Sequence, residues 1–487
     1  MFKLLSEKVS RDPDLPERAW SLDVLGRVLD GTIYDGLDYE FYDEKRDNDE
    51  YIPIRKRRPS VRYNLCRLVV EDSVSLLFGE GRFPGVDCAD LPTREALQSI
   101  IKATHLPAVM ESAAIEGSIG SIAVLMRVLE GRLFFSVLNT RFLTPVYDVK
   151  APDTLAKVIE KYKVRGDTLA GLGYQIEEKD FTAKFWFQRI WSQADEEWFL
   201  PWKVADDNPK IEGDAGRSVH HGLGFVPLAW IKNLPGGEGP DGGCTFRPAI
   251  DTQIEIDYQL SQAGRGLKYS SDPLLMVREP AAPDDPIIKG AGNALVVSEK
   301  GDAKLLEIGG TASAAVIEYV RILREMALET IHGNRSNADK ISAAQSGRAL
   351  EMLHQPLLWL ADRLRTSYGE NGLLPLLRMI VRVSKIMPLS VEGETIKNLS
   401  DKPISLRWGA WFSPTERDRQ EQATTLKTHR DAGHISRETA VKVMAPNYDI
   451  EDIPAEVAKI EADETAADAR ATTQPSVQTK DSETLPG

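Results

Sequence analysis

A glycine-rich segment that joins a strand pattern to a helix pattern most constrains how this sequence can fold. Residues 233–243, "NLPGGEGPDGG", hold five glycines and follow the apolar run "FVPLAWIK". A helical pattern begins near Pro248, a residue that suits the first turn of a helix. A strand, a glycine-rich loop and a helix in this order also form the phosphate cradle of nucleotide-binding proteins. The segment therefore bears on whether the chain is an enzyme.

The segment lacks the groups that phosphate binding needs. A P-loop carries a lysine followed by Ser or Thr, and no such pair is present here. Gly237, Gly239 and Gly242 match the spacing of a dinucleotide fingerprint, but Pro240 and Asp241 lie where pyrophosphate would meet backbone N–H groups. We expect residues 236–243 to route the chain, and a nucleotide-dependent enzyme that uses this loop is the less favoured alternative.

Other catalytic and metal-binding signatures are missing from the sequence. H-E-x-x-H, G-x-S-x-G and C-x-x-C do not occur, and Cys66, Cys88 and Cys244 are far apart. The run "HRDAG", residues 429–433, is similar to a kinase catalytic loop but lacks a matching Asn and DFG triplet. We therefore expect no catalytic residue, no cofactor, no metal ion and no enzymatic activity.

Length and charge limit the possible classes of protein. The 487 residues predict roughly two to four domains, and no apolar run is long enough to predict a membrane span. The net charge of −14 argues against a broad basic face that grips nucleic acid, but not against a protein past which DNA must slide. The basic cluster "RKRRP", residues 55–59, is expected to be solvated or to face a partner, with nucleic-acid contact as the alternative.

Hydrophobic periodicity in the first half of the chain predicts an α+β fold. Helices are expected over about 60–78, 93–103 and 106–118, whereas residues 1–60 are expected to hold short helical stretches at best. Paired strands should follow, with a turn at Glu130-Gly131. Four tryptophans in the next strands are expected to pack in the core, with a ligand or base-stacking surface as the alternative: Trp186, Trp191, Trp198 and Trp202.

The second half is predominantly helical by the same criteria. A helical run of about 40 residues after residue 346 contains Pro356 and Pro375, where we expect kinks or breaks. Ser413 begins a capping box and should open another helix. The tail, residues 466–487, has almost no large apolar residues and is predicted to be disordered.

The order of these elements resembles that of the portal protein family of tailed bacteriophages, the head-to-tail connectors. The resemblance is carried by "FVPLAWIKNLPGGEGPDGG", "FRPAIDTQIEIDYQLSQAGRGLKYSSDPLLMV", "GNALVVSEKGDAKLLEIGG", "IHGN" and "SGRALEMLHQPL", and it covers about residues 60–460. It is a likeness of architecture and loose pattern. Another virion protein, such as an adaptor or a minor capsid protein, is the alternative.

The resemblance implies a multidomain portal subunit with a wing, a two-helix stem, a clip and a helical crown, assembled as a ring. The implied parts are the wing at 1–245 and 346–412, stem helix 1 at 246–270, the clip at 271–310, stem helix 2 at 311–333, a tunnel loop at 334–345, the crown at 413–465 and the tail at 466–487.

A function and a set of partners follow from the resemblance. Such a ring, of twelve subunits in the family, occupies one capsid vertex of the virion after assembly in the host cytoplasm, and DNA is packaged and ejected through it. The implied partners are the terminase large subunit, capsid and scaffolding proteins, head-tail adaptor or neck proteins, and double-stranded DNA, with no membrane.

Two sets of side chains are candidates for the DNA channel. In the tunnel loop they are Arg335, Asn337 and Lys340, whose cations could touch phosphate transiently. On the second stem helix they are Glu318, Arg321, Arg324, Glu325 and Glu329, whose mixed signs suit ion pairing between adjacent subunits or a channel surface. A ring of acidic subunits would repel the DNA backbone, which favours sliding.

Overall fold

The computed structural model divides the chain into two compact units, Met1–Gln345 with Ala349–Trp411, and Ser346–Arg348 with Phe412–Gly487. It describes residues 1–79, 81–206, 208–271, 274–280, 297–306, 311–333, 347–409, 411, 416–445, 448, 450 and 453–473. Helices and small antiparallel sheets alternate along these residues, so the α+β expectation is confirmed. The domain boundaries implied by the resemblance stay predictions.

Helices dominate the first part of the first unit. They are α1 (Phe2–Ser6), α2 (Glu17–Leu29), α3 (Leu65–Phe78), α4 (Leu91–Ala103) and α5 (Leu106–Gly117). The expectation of only short helical stretches before residue 60 was wrong, because α2 has 13 residues. Leu22, Leu25 and Leu29 of this helix recur at helical spacing and are buried in the main core. Packing therefore stabilises the helix, although the polar residues around it in the sequence made the pattern hard to recognise.

A three-stranded antiparallel sheet follows, with the order β10-β2-β3. Its strands are β2 (Ser121–Leu129), β3 (Arg132–Asn139) and β10 (Leu228–Lys232). The predicted turn at Glu130 and Gly131 is confirmed, since φ is 51° and 78° at these two residues. Positive φ at both central residues gives the turn that matches the twist of a two-residue hairpin.

The second sheet is built by strands between residues 143 and 220. They are β4 (Leu143–Tyr147), β5 (Leu155–Arg165), β6 (Lys184–Trp191), β7 (Asp195–Trp198), β8 (Trp202–Lys203) and β9 (Val219–His220), with helix α6 (Gly166–Gly171) after β5. Trp186, Trp191 and Trp202 are buried, and the Arg189 guanidinium lies 4.6 Å from the ring centre of the half-buried Trp198. The expected core packing of the tryptophans is therefore confirmed.

Two long helices flank a β-ribbon later in the first unit. Helix α7 (Ile250–Ser271) contacts α8 (Thr311–Thr330), and β11 (Leu274–Pro280) pairs antiparallel with β12 (Val297–Leu306) between them. The helices expected from the pattern are present here. Residues 281–296 and 307–310 of the predicted clip lie outside the described residues.

The long helical run contains a change of helix type. Helix α9 (Gly347–Leu364) continues through Pro356, so of the expected kinks or breaks a break at Pro356 was wrong. A π-helical segment, Arg365–Leu373, then leads directly into α10 (Leu374–Ile386), with Pro375 in its first turn. A π turn is wider than an α turn and can accommodate local contacts in a helix. Tyr368, a large side chain in this segment, is fully buried.

Short strands complete the first unit. Strands β13 (Leu389–Val391) and β14 (Glu394–Ile396) form a hairpin, and β15 (Ile404–Arg407) pairs with β1 (Gly85–Cys88). The pairing joins segments that lie more than 300 residues apart in the sequence.

The second unit is helical. It contains α11 (Glu416–Asp431), α12 (Arg437–Met444) and α13 (Ile453–Thr473), and Arg437 of α12 forms an ion pair with Glu464 of α13. The predicted capping residue Ser413 lies outside the described residues. Helix α13 extends to Thr473, so residues 466–473 are helical and not disordered; alanine, which recurs here, has the highest helix propensity. Residues 474–487 are outside the described part.

Candidate functional site

The glycine-rich loop 233–243 is fixed to the body of the first unit through Asp241. Arg18 of α2 donates from Nε and Nη2 to the two carboxylate oxygens of Asp241, at 2.5 and 2.7 Å. Ser121 Oγ donates to the same carboxylate at 2.5 Å. The two ionic side chains are 21% and 13% exposed. The arginine that could have attracted a phosphate is thus already neutralised by the Asp241 carboxylate.

Asn233, at the end of β10, is the centre of a second set of buried hydrogen bonds. Its Nδ2 donates to the Ser118 and Gly243 carbonyls and to Thr245 Oγ1, at 3.2, 2.8 and 2.8 Å. Tyr368 in the π-helical segment donates its hydroxyl to Asn233 Oδ1 at 3.1 Å. Asn233 is 1% exposed, so each of these bonds satisfies a group that water does not reach.

Backbone packing explains why glycine is used in this loop. A Cβ atom on Gly242 would lie 2.6 Å from the Leu234 carbonyl oxygen and 2.7 Å from the Asn233 nitrogen. The Gly242 N–H donates to the Gly120 carbonyl at 2.8 Å, which fixes the loop to the start of β2. The loop is therefore a compact connection from β10 towards α7, and its geometry favours the routing interpretation over a phosphate cradle.

Helix α7 is held to the N-terminal segment by a buried carboxyl group. Asp257 accepts hydrogen bonds from the Tyr34 hydroxyl and from the Tyr63 backbone N–H, both at 2.6 Å. It is 1% exposed, and this burial raises the pKa of the Asp257 carboxyl to about 7. Sequence reasoning missed this residue, because its partners lie about 200 residues away in the chain.

The basic cluster at residues 55–59 is divided between surface and core. Arg57 is fully buried and donates from Nε and Nη2 to the Ile52 carbonyl, at 2.9 and 2.6 Å, and from Nη1 to the Phe41 carbonyl. The expectation that the whole cluster is solvated or faces a partner was therefore wrong for Arg57, which closes the loop before it. Arg55 and Lys56 are exposed.

Helix α8 turns both charge and apolar surface outward. Of the predicted channel residues, Glu318, Arg321, Glu325 and Glu329 are exposed and Arg324 is half-buried. Arg321 donates to Glu318 Oε1 at 2.5 Å within the helix, whereas the expected ion pairing between adjacent subunits stays a prediction.

A second stripe on α8 is apolar and also exposed. Tyr319, Ile322 and Met326 are 45%, 45% and 56% exposed, and their spacing of three and four residues places them along one side of the helix. The buried side is formed by other residues, including Ala327 and Leu328. These apolar residues are visible in the sequence. Their periodicity is compatible with two apolar stripes on the helix, and it does not reveal which of the two packs in the core.

The predicted tunnel-loop residues Arg335, Asn337 and Lys340 lie outside the described residues. The described residues before this loop end at Gly333, where the absence of a side chain leaves room for Val69 and Leu328. The structure thus places the predicted residues of α8 on one exposed helix and leaves the loop residues untested.

The described residues contain no cluster suited to a metal ion and no helix suited to a membrane span. There, no three His, Cys, Asp or Glu side chains come close enough to hold a metal ion. No helix within them has the length and apolar character needed to cross a membrane.

Similarity to known proteins is strongest at the level of the family. The family model "Phage portal protein, SPP1 Gp6-like" matches residues 36–470. No curated protein matches the chain. A chain in the structure of the virion of a native gene transfer agent (GTA) particle is similar over 78% of this chain and 88% of that chain, with 12% identity and a TM-score of 0.36. A chain in the neck of the native GTA particle, computed with C12 symmetry, has the same coverage, 10% identity and a TM-score of 0.38.

Proposed function

Because this chain belongs to the phage portal protein family, we propose that its copies form the ring at one capsid vertex through which double-stranded DNA is packaged and ejected. The observation that carries the proposal is the family match over residues 36–470, most of the chain. Twelve subunits, assembly in the host cytoplasm and a final place in the virion are parts of the same proposal. So are the terminase large subunit, the scaffolding and capsid proteins, and the adaptor or neck proteins as successive partners.

The surface of α8 supports a ring. Its apolar stripe, Tyr319, Ile322 and Met326, leaves large side chains in water in the isolated chain. Burying such side chains against an adjacent subunit would be favourable by roughly 25 cal/mol per Å² of apolar area. The charged stripe beside it carries Glu318 and Arg321, whose opposite signs allow pairing with a different, complementary surface of the adjacent subunit, as the head-to-tail contacts of a ring require.

Each part of the subunit takes the role that the pattern of the family gives it. Helices α7 and α8, which contact each other, serve as the stem, and the β-ribbon of β11 and β12 serves as part of the clip. The sheets and helices before α7, with residues 346–412, serve as the wing, and the second unit serves as the crown.

DNA passes through the ring with weak contact. The subunit carries a net charge of −14, so a wall built from many copies repels phosphate and does not trap the duplex. Arg335 and Lys340 supply transient cationic contacts from the tunnel loop, with Asn337 as a neutral hydrogen-bonding group between them.

The test is DNA packaging in the parent particle. Particles assembled in cells that lack this chain should contain almost no nuclease-protected DNA, and the chain supplied from a plasmid should restore it. A double variant, Arg335→Ala with Lys340→Ala, should shorten the packaged DNA because it removes both cations of the loop. Its matched control is Arg55→Ala with Lys56→Ala, which removes two exposed cations of the first unit.

Two results would contradict the proposal at different levels. Normal DNA content without the chain would exclude a portal role and favour another virion component. Full-length DNA in the Arg335→Ala and Lys340→Ala particles would exclude a role for the charges of the loop, but it would not contradict the proposed ring.

A further inference from the structure

A groove of about 1210 Å³ lies in the first unit beside strand β10. One wall comes from the second sheet and carries Leu143, Leu155 and Ile159, and the other comes from α10 and carries Pro375 and Met379. Apolar side chains are present on both walls, and Leu228, Trp230 and Lys232 of β10 also line the groove. A site of this shape and lining can accept an extended chain.

The edge of β10 that faces away from β2 is open. The Pro227 carbonyl accepts from Met126 N–H, and Asn233 N–H donates to the Gly120 carbonyl, so these two residues turn their backbone groups towards β2. Orientation alternates along a strand, so Trp230 and Lys232 turn their N–H and C=O groups to the opposite side. In the described part of the chain, β10 pairs with β2 and with no other strand.

The neighbouring edge strand, β4, is protected in a way that β10 is not. Pro145 in the middle of β4 has no N–H to offer, and the register shifts between Val146 and Tyr147. Proline and bulges are common devices that prevent an edge strand from pairing with another chain. Between the two edges that border the groove, only β10 keeps a regular set of donors and acceptors.

The groove also carries cations that the subunit does not neutralise. Lys161 lies with its ammonium 4.6 Å from the Trp186 ring centre, and the Arg382 guanidinium lies 4.2 Å from that of Phe225. Lys232 donates to the Gly239 carbonyl at 2.8 Å. Among the described residues these three cations have aromatic or carbonyl partners and form no ion pair with a carboxylate.

Most of the other charges in the lining are already paired, but the exposed Asp153 forms no ion pair among the described residues. Arg18 binds Asp241, and Arg141 binds Asp23. Asp14 binds Lys163. The charge that remains is therefore mainly positive, although the chain as a whole is acidic. Because the remaining charge in the groove is positive, electrostatic attraction favours an occupant that carries carboxylates.

We propose that the groove binds an extended, acidic and apolar segment of a partner protein, which adds a strand to the free edge of β10. Its backbone pairs with Trp230 and Lys232, alternate apolar side chains enter the two walls, and its carboxylates meet Lys161, Lys232 and Arg382. The binding is independent of ring assembly and adds a partner site to each subunit.

The occupant is assigned to a different protein because the acidic segment near the N-terminus of this chain is already engaged. Residues 38–51 carry many carboxylates and the exposed Tyr42 and Tyr51, but Arg57 and Arg58 tie the segment to the subunit through backbone carbonyls and Glu40. A neighbouring copy as the occupant is an outcome that the experiment distinguishes.

The experiment measures binding of labelled peptides to the purified full chain by fluorescence anisotropy. The probe is a capped peptide of alternating Val and Glu long enough to span β10, and the comparison peptides replace Glu with Lys or methylate alternate backbone nitrogens. The Val–Glu peptide should bind, and both comparison peptides should bind at least about tenfold more weakly, since they lose charge attraction or strand pairing.

Variants locate the site. Lys232→Glu with Arg382→Glu should weaken binding of the Val–Glu peptide at least about tenfold. The matched control is Arg378→Glu, an exposed residue on the same helix one turn from Arg382 and outside the groove, and it should leave binding unchanged. Circular dichroism and the thermal midpoint establish that both variants are folded.

Three outcomes would overturn the proposal. The first is equal binding of the Val–Lys peptide, and the second is full binding of the Val–Glu peptide by the Lys232→Glu and Arg382→Glu variant. The third is that the wild-type chain does not bind the Val–Glu peptide at all, while the variant loses subunit association. The last result would assign the groove to a second copy of this chain.

Discussion

The glycine-rich loop 233–243 and helix α8 use their polar residues in opposite ways. In the loop, Asn233 is buried and Asp241 is only 13% exposed, and both form hydrogen bonds within the subunit. On α8, Glu325 and Met326 are exposed beside each other, and the helix keeps only one narrow side for the core. The comparison separates residues that build the subunit from residues left for partners. It predicts that substitutions in the loop change subunit stability and that substitutions on α8 change assembly.

The largest effect on stability is expected at Asn233. Asn233→Ala removes the acceptor of the buried Tyr368 hydroxyl and the donor to the buried Thr245 Oγ1, while the Gly243 carbonyl keeps its bond from the Leu234 N–H. We expect a loss of about 2–4 kcal/mol in the free energy of unfolding, measured by denaturant titration at fixed protein concentration. Asn208→Ala, at an exposed residue, should change it by less than about 0.5 kcal/mol. A loss below about 1 kcal/mol at Asn233 would mean that the loop is not held as described.

A smaller effect should appear as a pH dependence at Asp257. Its pKa in the folded chain is raised to about 7 by burial, so the folded state keeps a proton that the unfolded state releases near its ordinary value of about 4. The stability that this group contributes is therefore greatest at acidic pH, and it falls as pH rises towards 7. Between about pH 5 and pH 8 the loss should be about 2 kcal/mol.

Asp257→Asn supplies the control for that pH dependence. The amide can still accept from Tyr63 N–H and can donate to the Tyr34 oxygen, but it does not titrate. The variant should lose less stability than the wild-type chain over the same pH interval, as measured by denaturant midpoints. Equal pH profiles for the two chains would show that Asp257 does not titrate in this interval.

The smallest effect on subunit stability is expected on α8. Ile322→Gln with Met326→Gln places polar groups on an exposed stripe, so the thermal midpoint of the isolated subunit should change little. The fraction of protein in higher oligomers should fall, as measured by mass photometry, because the stripe no longer gains from burial. The matched control is Leu129→Gln with Leu172→Gln, which changes two apolar residues of similar exposure elsewhere in the first unit. A large loss of subunit stability in the α8 variant would place the stripe in the core.

Local patterns in the sequence predicted the elements whose stabilising contacts are close in the chain. The hairpin turn at Glu130 and Gly131 and the helices near α3 and α5 are of this kind. The absence of a P-loop lysine from the glycine loop was also visible in the sequence, but the pairing of Asp241 with Arg18 was not.

Contacts between distant residues could not be predicted in this way. The bond of Arg18 to Asp241 joins residues 223 positions apart, and the bond of Tyr368 to Asn233 joins residues 135 apart. Periodicity describes which side of an element is apolar but not what packs against it. For the same reason, the burial of Arg57 and the exposed apolar stripe of α8 required the folded chain.

The most direct test of a portal function is electron microscopy of the purified full chain in negative stain. We expect rings with a central hole, and fewer rings for Ile322→Gln with Met326→Gln than for Leu129→Gln with Leu172→Gln. Monodisperse monomers of the wild-type chain at high protein concentration would contradict the ring and with it the proposed role at the capsid vertex.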